Sequence, residues 1–178
     1  MTTQLNFLAR LAASSRDINW EAIYQTELPR VYNYFRYRIG EGVVAEDLTA
    51  ETFEKAWRNR DRYRHDLAAF STWLFTIARR VAADYYRQPR PEISLDTIAH
   101  LADETNVEGL AQQRADFARL SALLARLADR ERELVALKYG VGLTNRAIAR
   151  LSGLSESNVG TILHRVTQQL RAAWEEEL

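Results

Sequence analysis

Cysteine is absent from this 178-residue chain, which excludes disulfide bonds and thiolate metal sites and fits a reducing compartment. Proline occurs three times, at Pro29, Pro89 and Pro91, so few positions forbid a helix. No apolar run approaches the roughly 18 residues that a membrane span needs. The opening "MTTQLNFLARLAASSR" has a short apolar patch broken by Arg10, which makes a poor secretory signal. The expectation is a cytoplasmic protein without membrane insertion. Gly-rich phosphate loops, metal-ligand runs and nucleophile elbows are missing too, and His65, His100 and His164 lie far apart. The reading is therefore against an enzyme: no catalytic residue, no metal and no cofactor is assigned.

Net charge is also missing, with 24 basic and 24 acidic residues, but the balance is uneven along the chain. From Lys55 to Arg90 the bases are Lys55, Arg58, Arg60, Arg62, Arg64, Arg79, Arg80, Arg87 and Arg90, against Asp61, Asp66 and Asp84. The next stretch reverses sign, with Glu92, Asp96, Asp103, Glu104, Glu108 and Asp116 against Arg114. A basic block beside an acidic segment suits a polyanion-binding surface next to a segment that avoids or imitates polyanions; ordinary solvated helix faces are the plain alternative.

What the chain has in quantity is helical periodicity. Val31, Tyr34, Phe35 and Arg38 mark one helix, and Leu48, Phe53, Ala56 and Trp57 a second. Phe70, Trp73, Leu74, Ile77, Val81 and Tyr85 mark a third. "RQPRPE" (87–92) stops that helix and opens a linker. Beyond it, Leu120, Leu123, Leu124, Leu127, Leu134, Leu137 and Tyr139 continue the pattern. The predicted fold is all-α, with two small helical domains joined by an acidic flexible linker. The expected boundaries are an extension over 1–18, a first domain over 19–88, the linker over 89–112, with room for a short helical piece within it, and a second domain over 113–178.

The most specific stretch is "LTNRAIARLSGLSESNVGTILHRVTQQLR" (143–171). Thr144 suits an N-cap, and Ile148, Ala149 and Leu151 form the inner face of a short helix. Gly153 tolerates the positive φ of a tight turn, and Ser155 caps a second helix with the stripe Val159, Ile162, Leu163, Val166 and Leu170. This is helix-turn-helix spacing, with the second helix offered to a major groove. The groove-facing set is Ser155, Glu156, Ser157, Asn158, Gly160, Thr161, His164, Arg165 and Gln168. Arg165 suits guanine or phosphate, and Gln168 and Asn158 suit adenine or the backbone. A packed αα-hairpin that never touches DNA is the alternative, and Ser152 sits where many such motifs are apolar.

In the first domain, "DRYRHDLAA" (61–69) reads as a loop that sets Arg62, Tyr63, Arg64 and His65 beside a basic helix. Rings and guanidinium planes stack on unpaired bases while cations hold phosphates, so this surface suits an opened strand. Thr72, Thr76, Arg79, Arg80, Ala83 and Arg87 line the helix face expected to meet the backbone.

"AEDLTAETFEKAW" (45–57), "FSTWLFTIARRVAADYYR" (70–87) and the helix-turn-helix resemble successive motifs of the sigma-70 family. The short two-domain layout is similar to its extracytoplasmic-function group. The resemblance spans about residues 20–174. It implies a factor that binds core RNA polymerase, through the β′ clamp and β subunits, and directs it to promoter DNA. By the same resemblance, Asp47, Leu48, Glu51, Phe53 and Glu54 dock on the β′ clamp. The loop, with Phe70, Arg79, Arg80 and Arg87, melts and holds the −10 element with a flipped base, and the helix from Glu156 reads the −35 element. The linker threads the polymerase channel. An anti-sigma partner is common in the group, though no residue here identifies one. The chain departs from the family in having Ala50 for Gln, Arg80 for Asn, and Gly160-Thr161-Ile162 for a frequent Lys-Ser-Arg run. A regulator that binds duplex operators without polymerase is the runner-up, and it gives the 45–90 motifs no task.

Overall fold

The computed structural model describes residues 19–40, 42–64, 66–88 and 107–176, so the expected N-terminal extension and His65 lie outside the described residues. The first helix, α1 (Trp20–Ile39), starts at Asn19, whose Oδ1 accepts the Ala22 N–H at 3.1 Å. It runs through Pro29, where one backbone donor is lost. Burial of Val31, Tyr34, Phe35 and Arg38 fixes the turns beyond it. Gly40 ends it with φ 96°, a conformation that favours glycine. Helix α2 (Gly42–Arg58) buries Ala45, Leu48, Phe53 and Ala56. Its buried Thr49 and Thr52 hydroxyls donate to the carbonyls of Ala45 and Leu48, so neither is left unpaired.

A 3₁₀ turn (Arg60–Arg62) and a short loop lead to α3 (Phe70–Arg87). The buried arc of α3 is Leu74, Phe75, Ala78, Val81 and Ala82. It differs from the expected stripe, since Phe70, Trp73 and Ile77 stand half-buried at its rim while Phe75 is fully enclosed. The reason is that α3 is covered from two sides, by α1 and α2 and by the second domain, so the arc rotates toward Ala78. Trp57 and Tyr139, also expected in apolar stripes, are about half exposed, at 50% and 51%.

The second domain is α4 (Val107–Ala125), α5 (Asp129–Val135) with a π-helical continuation (Ala136–Gly140), α6 (Asn145–Ser152) and α7 (Glu156–Glu176). Helix α4 begins inside the residues expected to be linker, where the sequence leaves room for a short helical piece: 107–112 are helical. Their acidity fits a tether, but charge sign does not oppose a helix, and Glu108, Leu110, Ala111 and Gln112 favour one. The rest of the expected linker, 89–106, lies outside the described residues.

The two domains are packed together. Buried apolar residues of α1, α2 and α3 are continuous with Leu124, Leu134, Leu137, Ile148, Val159 and Val166 in one core. Gly140 brings the π-helical segment so close to α1 that an added Cβ would lie 3.0 Å from the Asn33 carbonyl oxygen. Arg36 stacks 4.0 Å from the Phe117 ring centroid, and Tyr37 meets the same ring edge-on. Arg30 Nε donates to the Val141 carbonyl at 3.2 Å, and Arg38 Nη2 pairs with Asp129 at 2.6 Å.

Candidate nucleic-acid interface

The helix-turn-helix is built by its own caps. Thr144 Oγ1 accepts the Ala147 N–H at 3.2 Å and starts α6. Gly153, left-handed at φ 71°, ends it and donates its N–H to the Ala149 carbonyl. Ser155 Oγ then accepts the Asn158 N–H at 3.2 Å and starts α7. Ile148, Val159, Leu163 and Val166 are buried between the helices, and Ile162 and Leu170 flank them half-buried. The Ser152 hydroxyl, at a position where many such motifs are apolar, is buried without a partner among the described residues.

The outward face of α7 presents Glu156, Ser157, Asn158, Thr161, His164, Arg165 and Gln168, with Ser155 exposed at its head and Gly160 half-buried. A Cβ on Gly160 would stand 3.5 Å from Asn145 Nδ2, so this is where α7 passes the start of α6. Several of these groups already have partners. Glu156 pairs with Arg146 at 3.3 Å, Arg165 with Glu131 at 2.5 Å, and Thr161 Oγ1 donates to the Ser157 carbonyl at 3.1 Å.

On the first domain, the 3₁₀ turn and loop rest on aromatic rings. Tyr63 donates its hydroxyl to the Ala68 carbonyl at 3.1 Å, and its ring lies 5.3 Å from Phe70 and 5.2 Å from Trp73. Desolvation raises its phenol pKa above the ordinary value. Trp20 meets both Phe70 and Trp57 edge-on, and Arg60 lies 4.3 Å over Trp57. Tyr63 and Phe70 are thus supports of the loop as well as faces of it. Sequence reasoning did not find Trp20 and Trp57 in this role, and the aromatic density around the basic block was the available signal. Arg64 is bound to Asp66 through two hydrogen bonds, at 2.9 and 2.8 Å, and this pair raises its pKa. Arg62 and Arg80 are exposed with no ion pair among the described residues, and Arg87 pairs with Asp84 at 3.3 Å.

Arg79 departs from the expectation. Its guanidinium turns into the second domain, where Nε and Nη2 meet the Glu133 carboxylate at 2.8 and 3.2 Å and Nη1 donates to the Leu151 carbonyl. A cleft of about 640 Å³ between α3 and α5 is lined by Arg38, Arg79, Arg80, Arg87, Tyr86, Asp129 and Glu133. Helical periodicity places Arg38 in the stripe of Val31, Tyr34 and Phe35 and gives it no partner. It is 4% exposed and covered by Tyr86, whose ring centroid is 4.8 Å away. An arginine on an apolar face needs a carboxylate, and sequence could have raised that question without naming Asp129.

The proposed polymerase-docking helix is split by burial. Asp47 and Glu54 are exposed and Glu51 half-exposed, whereas Leu48 and Phe53 are in the core at 6% and 8% exposure. Phe53 packs on Tyr24 at 4.8 Å, so these two side chains support the helix from beneath. Glu51 and Glu54 pair with Lys55 and Arg58 one turn on. Ala50 lies exposed beside them.

With this geometry, the similarities to known proteins have a place to fall. The sigma-70 region 2 family model matches residues 23–91, and the sigma-70 region 4 model matches residues 117–170. The chain is 31% identical over 153 residues to the ECF RNA polymerase sigma factor BldN of Streptomyces coelicolor, covering 83% of this chain and 57% of that protein. It is 30% identical to the RNA polymerase sigma factor CarQ of Myxococcus xanthus, covering 85% of this chain and 87% of CarQ. The fold is shared with the sigma factor RpoE of Bartonella quintana, solved with the anti-sigma factor NepR. That likeness has a TM-score of 0.67 at 18% identity over 88% of this chain and 97% of RpoE. No described helix is long and apolar enough to cross a membrane. Two family regions in order, one on the loop-bearing domain and one on the helix-turn-helix, place the chain in the sigma-70 family, among its ECF RNA polymerase sigma factors.

Proposed function

We propose that this sigma factor binds core RNA polymerase through the exposed acids of α2 and directs it to promoters by two separate DNA contacts. The 3₁₀ turn and loop, with Arg62, Tyr63, Arg64 and the exposed Arg80 and Arg87, hold the opened −10 strand. The outward face of α7 reads the −35 duplex. The observation that carries the reading is the coexistence on one chain of a capped helix-turn-helix and a ring-supported cationic loop, one suited to stacked base pairs and one to unstacked bases. The protein acts as an initiation factor rather than a catalyst, inside the cell where the polymerase works. Polymerase contact belongs to Asp47, Glu51 and Glu54, with Leu48 and Phe53 shaping the helix beneath them. An anti-sigma protein is a further partner, by analogy with the bound state of the Bartonella relative.

The charge balance supports a division of labour. With 24 bases and 24 acids, and with Arg79 and Arg165 already paired, the free chain holds DNA feebly. The polymerase supplies the alignment that lets two weak contacts act together. Co-elution of the purified chain with core RNA polymerase tests this. A stoichiometric complex weakened by Asp47→Ala with Glu51→Ala is expected. Absence of a complex, beside a sigma factor that binds in parallel, would overturn docking through the α2 acids.

A further inference from the structure

Arg165 is the single lysine or arginine between Glu156 and Gln168, so whatever cationic reading this stretch of α7 performs falls to it. Its guanidinium is not free. Nη2 donates to Glu131 Oε1 at 2.5 Å, across 34 residues of sequence. Glu131 is the more enclosed partner, with a side chain 20% exposed against 66% for Arg165. Its other oxygen, Oε2, accepts the backbone N–H of Ala128 at 3.3 Å, at the start of α5. One carboxylate closes the first turn of α5 and grips one corner of the arginine. Because its second oxygen is tied to backbone, it is a fixed bracket and not a mobile counter-ion.

We infer that Glu131 is a positioning residue that sets the sequence preference of Arg165 on promoter DNA. The inference rests on the reading of α7 as the −35 helix and adds a residue outside it. A guanidinium held by one corner still offers donors from its remaining edge, now in a restrained plane. A planar fork in a fixed plane matches the O6 and N7 acceptors of guanine. The same pairing neutralises Arg165 locally, which weakens it as an anchor for phosphates, contacts that carry no sequence information. The bracket therefore favours selectivity over raw affinity.

The test uses holoenzyme assembled from core RNA polymerase and the full chain. It first selects duplexes from a pool randomised over the −35 window. It then compares a selected duplex with a shuffled one across salt concentrations. Glu131→Gln is the first variant, because Gln at the third helical position also closes a capping box, so α5 keeps its start while the charge is lost. Discrimination between the duplexes is expected to fall about tenfold, within the range one bidentate base contact supplies. Binding to the shuffled duplex should strengthen, and the log–log salt slope should steepen by about 0.9. Glu131→Asp keeps the charge but shortens the reach, so discrimination should fall with the slope unchanged. A Glu131→Gln holoenzyme with wild-type discrimination, or one weakened equally on both duplexes, overturns the inference. Arg165→Ala separates this from the parent reading. If Arg165→Ala abolishes discrimination and Glu131→Gln does not, the bracket alone is wrong. If Arg165→Ala also discriminates like wild type, the −35 reading of this helix fails with it.

Discussion

Consider removing the ion pair between Arg79 on α3 and Glu133 on α5. Two charge-assisted hydrogen bonds join them, at 2.8 and 3.2 Å, and their side chains are 26% and 17% exposed. Such bonds contribute about 1.5–3 kcal/mol each when well formed, and partial solvent access discounts that toward a pair total of about 2 kcal/mol. Glu133→Gln should therefore shift the balance between packed and separated domains about thirtyfold toward separation. Arg79→Ala should shift it further, because it also removes the donor to the Leu151 carbonyl, and the double variant should add little to Arg79→Ala alone. The chain has no cysteine, so cysteines placed at the exposed Ala50 and Ala172 would take a dye pair without background. Energy transfer between them, followed over low urea concentrations, reads the separated fraction directly. A coupling below about 0.5 kcal/mol, the level at which independent sites add, would refute the claim that this pair holds the domains together.

Other expectations follow from the same packing. Gly140→Ala places a Cβ 3.0 Å from the Asn33 carbonyl oxygen, a backbone atom that cannot swing aside. It should cost about 1–3 kcal/mol in urea unfolding. Gly153→Ala meets open space but keeps a φ of 71°, so its cost should be about 1–2 kcal/mol from backbone strain alone, read by thermal melting. The buried Tyr34 hydroxyl is held protonated well above its ordinary value of 10.0, first by desolvation and then by Glu133, with Arg38 and Arg79 opposing. The folded chain then binds more protons than the unfolded one in alkali. That contribution to stability is complete below the ordinary tyrosine range and lost as pH climbs beyond it, and Tyr34→Phe should flatten the decline in urea titrations. Tyr63→Ala removes both the loop's hydrogen bond and its ring support. It should impair permanganate-detected opening of the −10 region while sparing −35 duplex binding.

Much of this molecule was legible because its decisive signals are local. Thr144, Gly153 and Ser155 act within three or four residues of themselves, and their spacing with Ile148, Val159, Leu163 and Val166 specifies the helix-turn-helix from sequence alone. What stayed hidden is non-local. Arg79 was placed on a DNA-facing surface by helical arithmetic, which knows the face but not what covers it; Glu133 lies 54 residues away. Arg38 finds Asp129 at a separation of 91 residues, for which periodicity has no vocabulary. The family resemblance groups Leu48 and Phe53 with Asp47, Glu51 and Glu54, yet a helix separates its faces every few residues and sends these two to the core. The acidic stretch does not fix where α4 starts for a related reason, because net charge reports solvation and not backbone conformation.

The shared core has a consequence for any state in which the domains part. Parting them would wet the side of α1 that Gly140 and Phe117 now cover, along with the matching surface of the π-helical segment. Surfaces of that kind are sticky, so an extended free chain would be short-lived, drawn either to reclose or to aggregate. The extended form needed to span two promoter elements is then best regarded as a guest conformation that exists while a larger host sheathes the bared hydrocarbon.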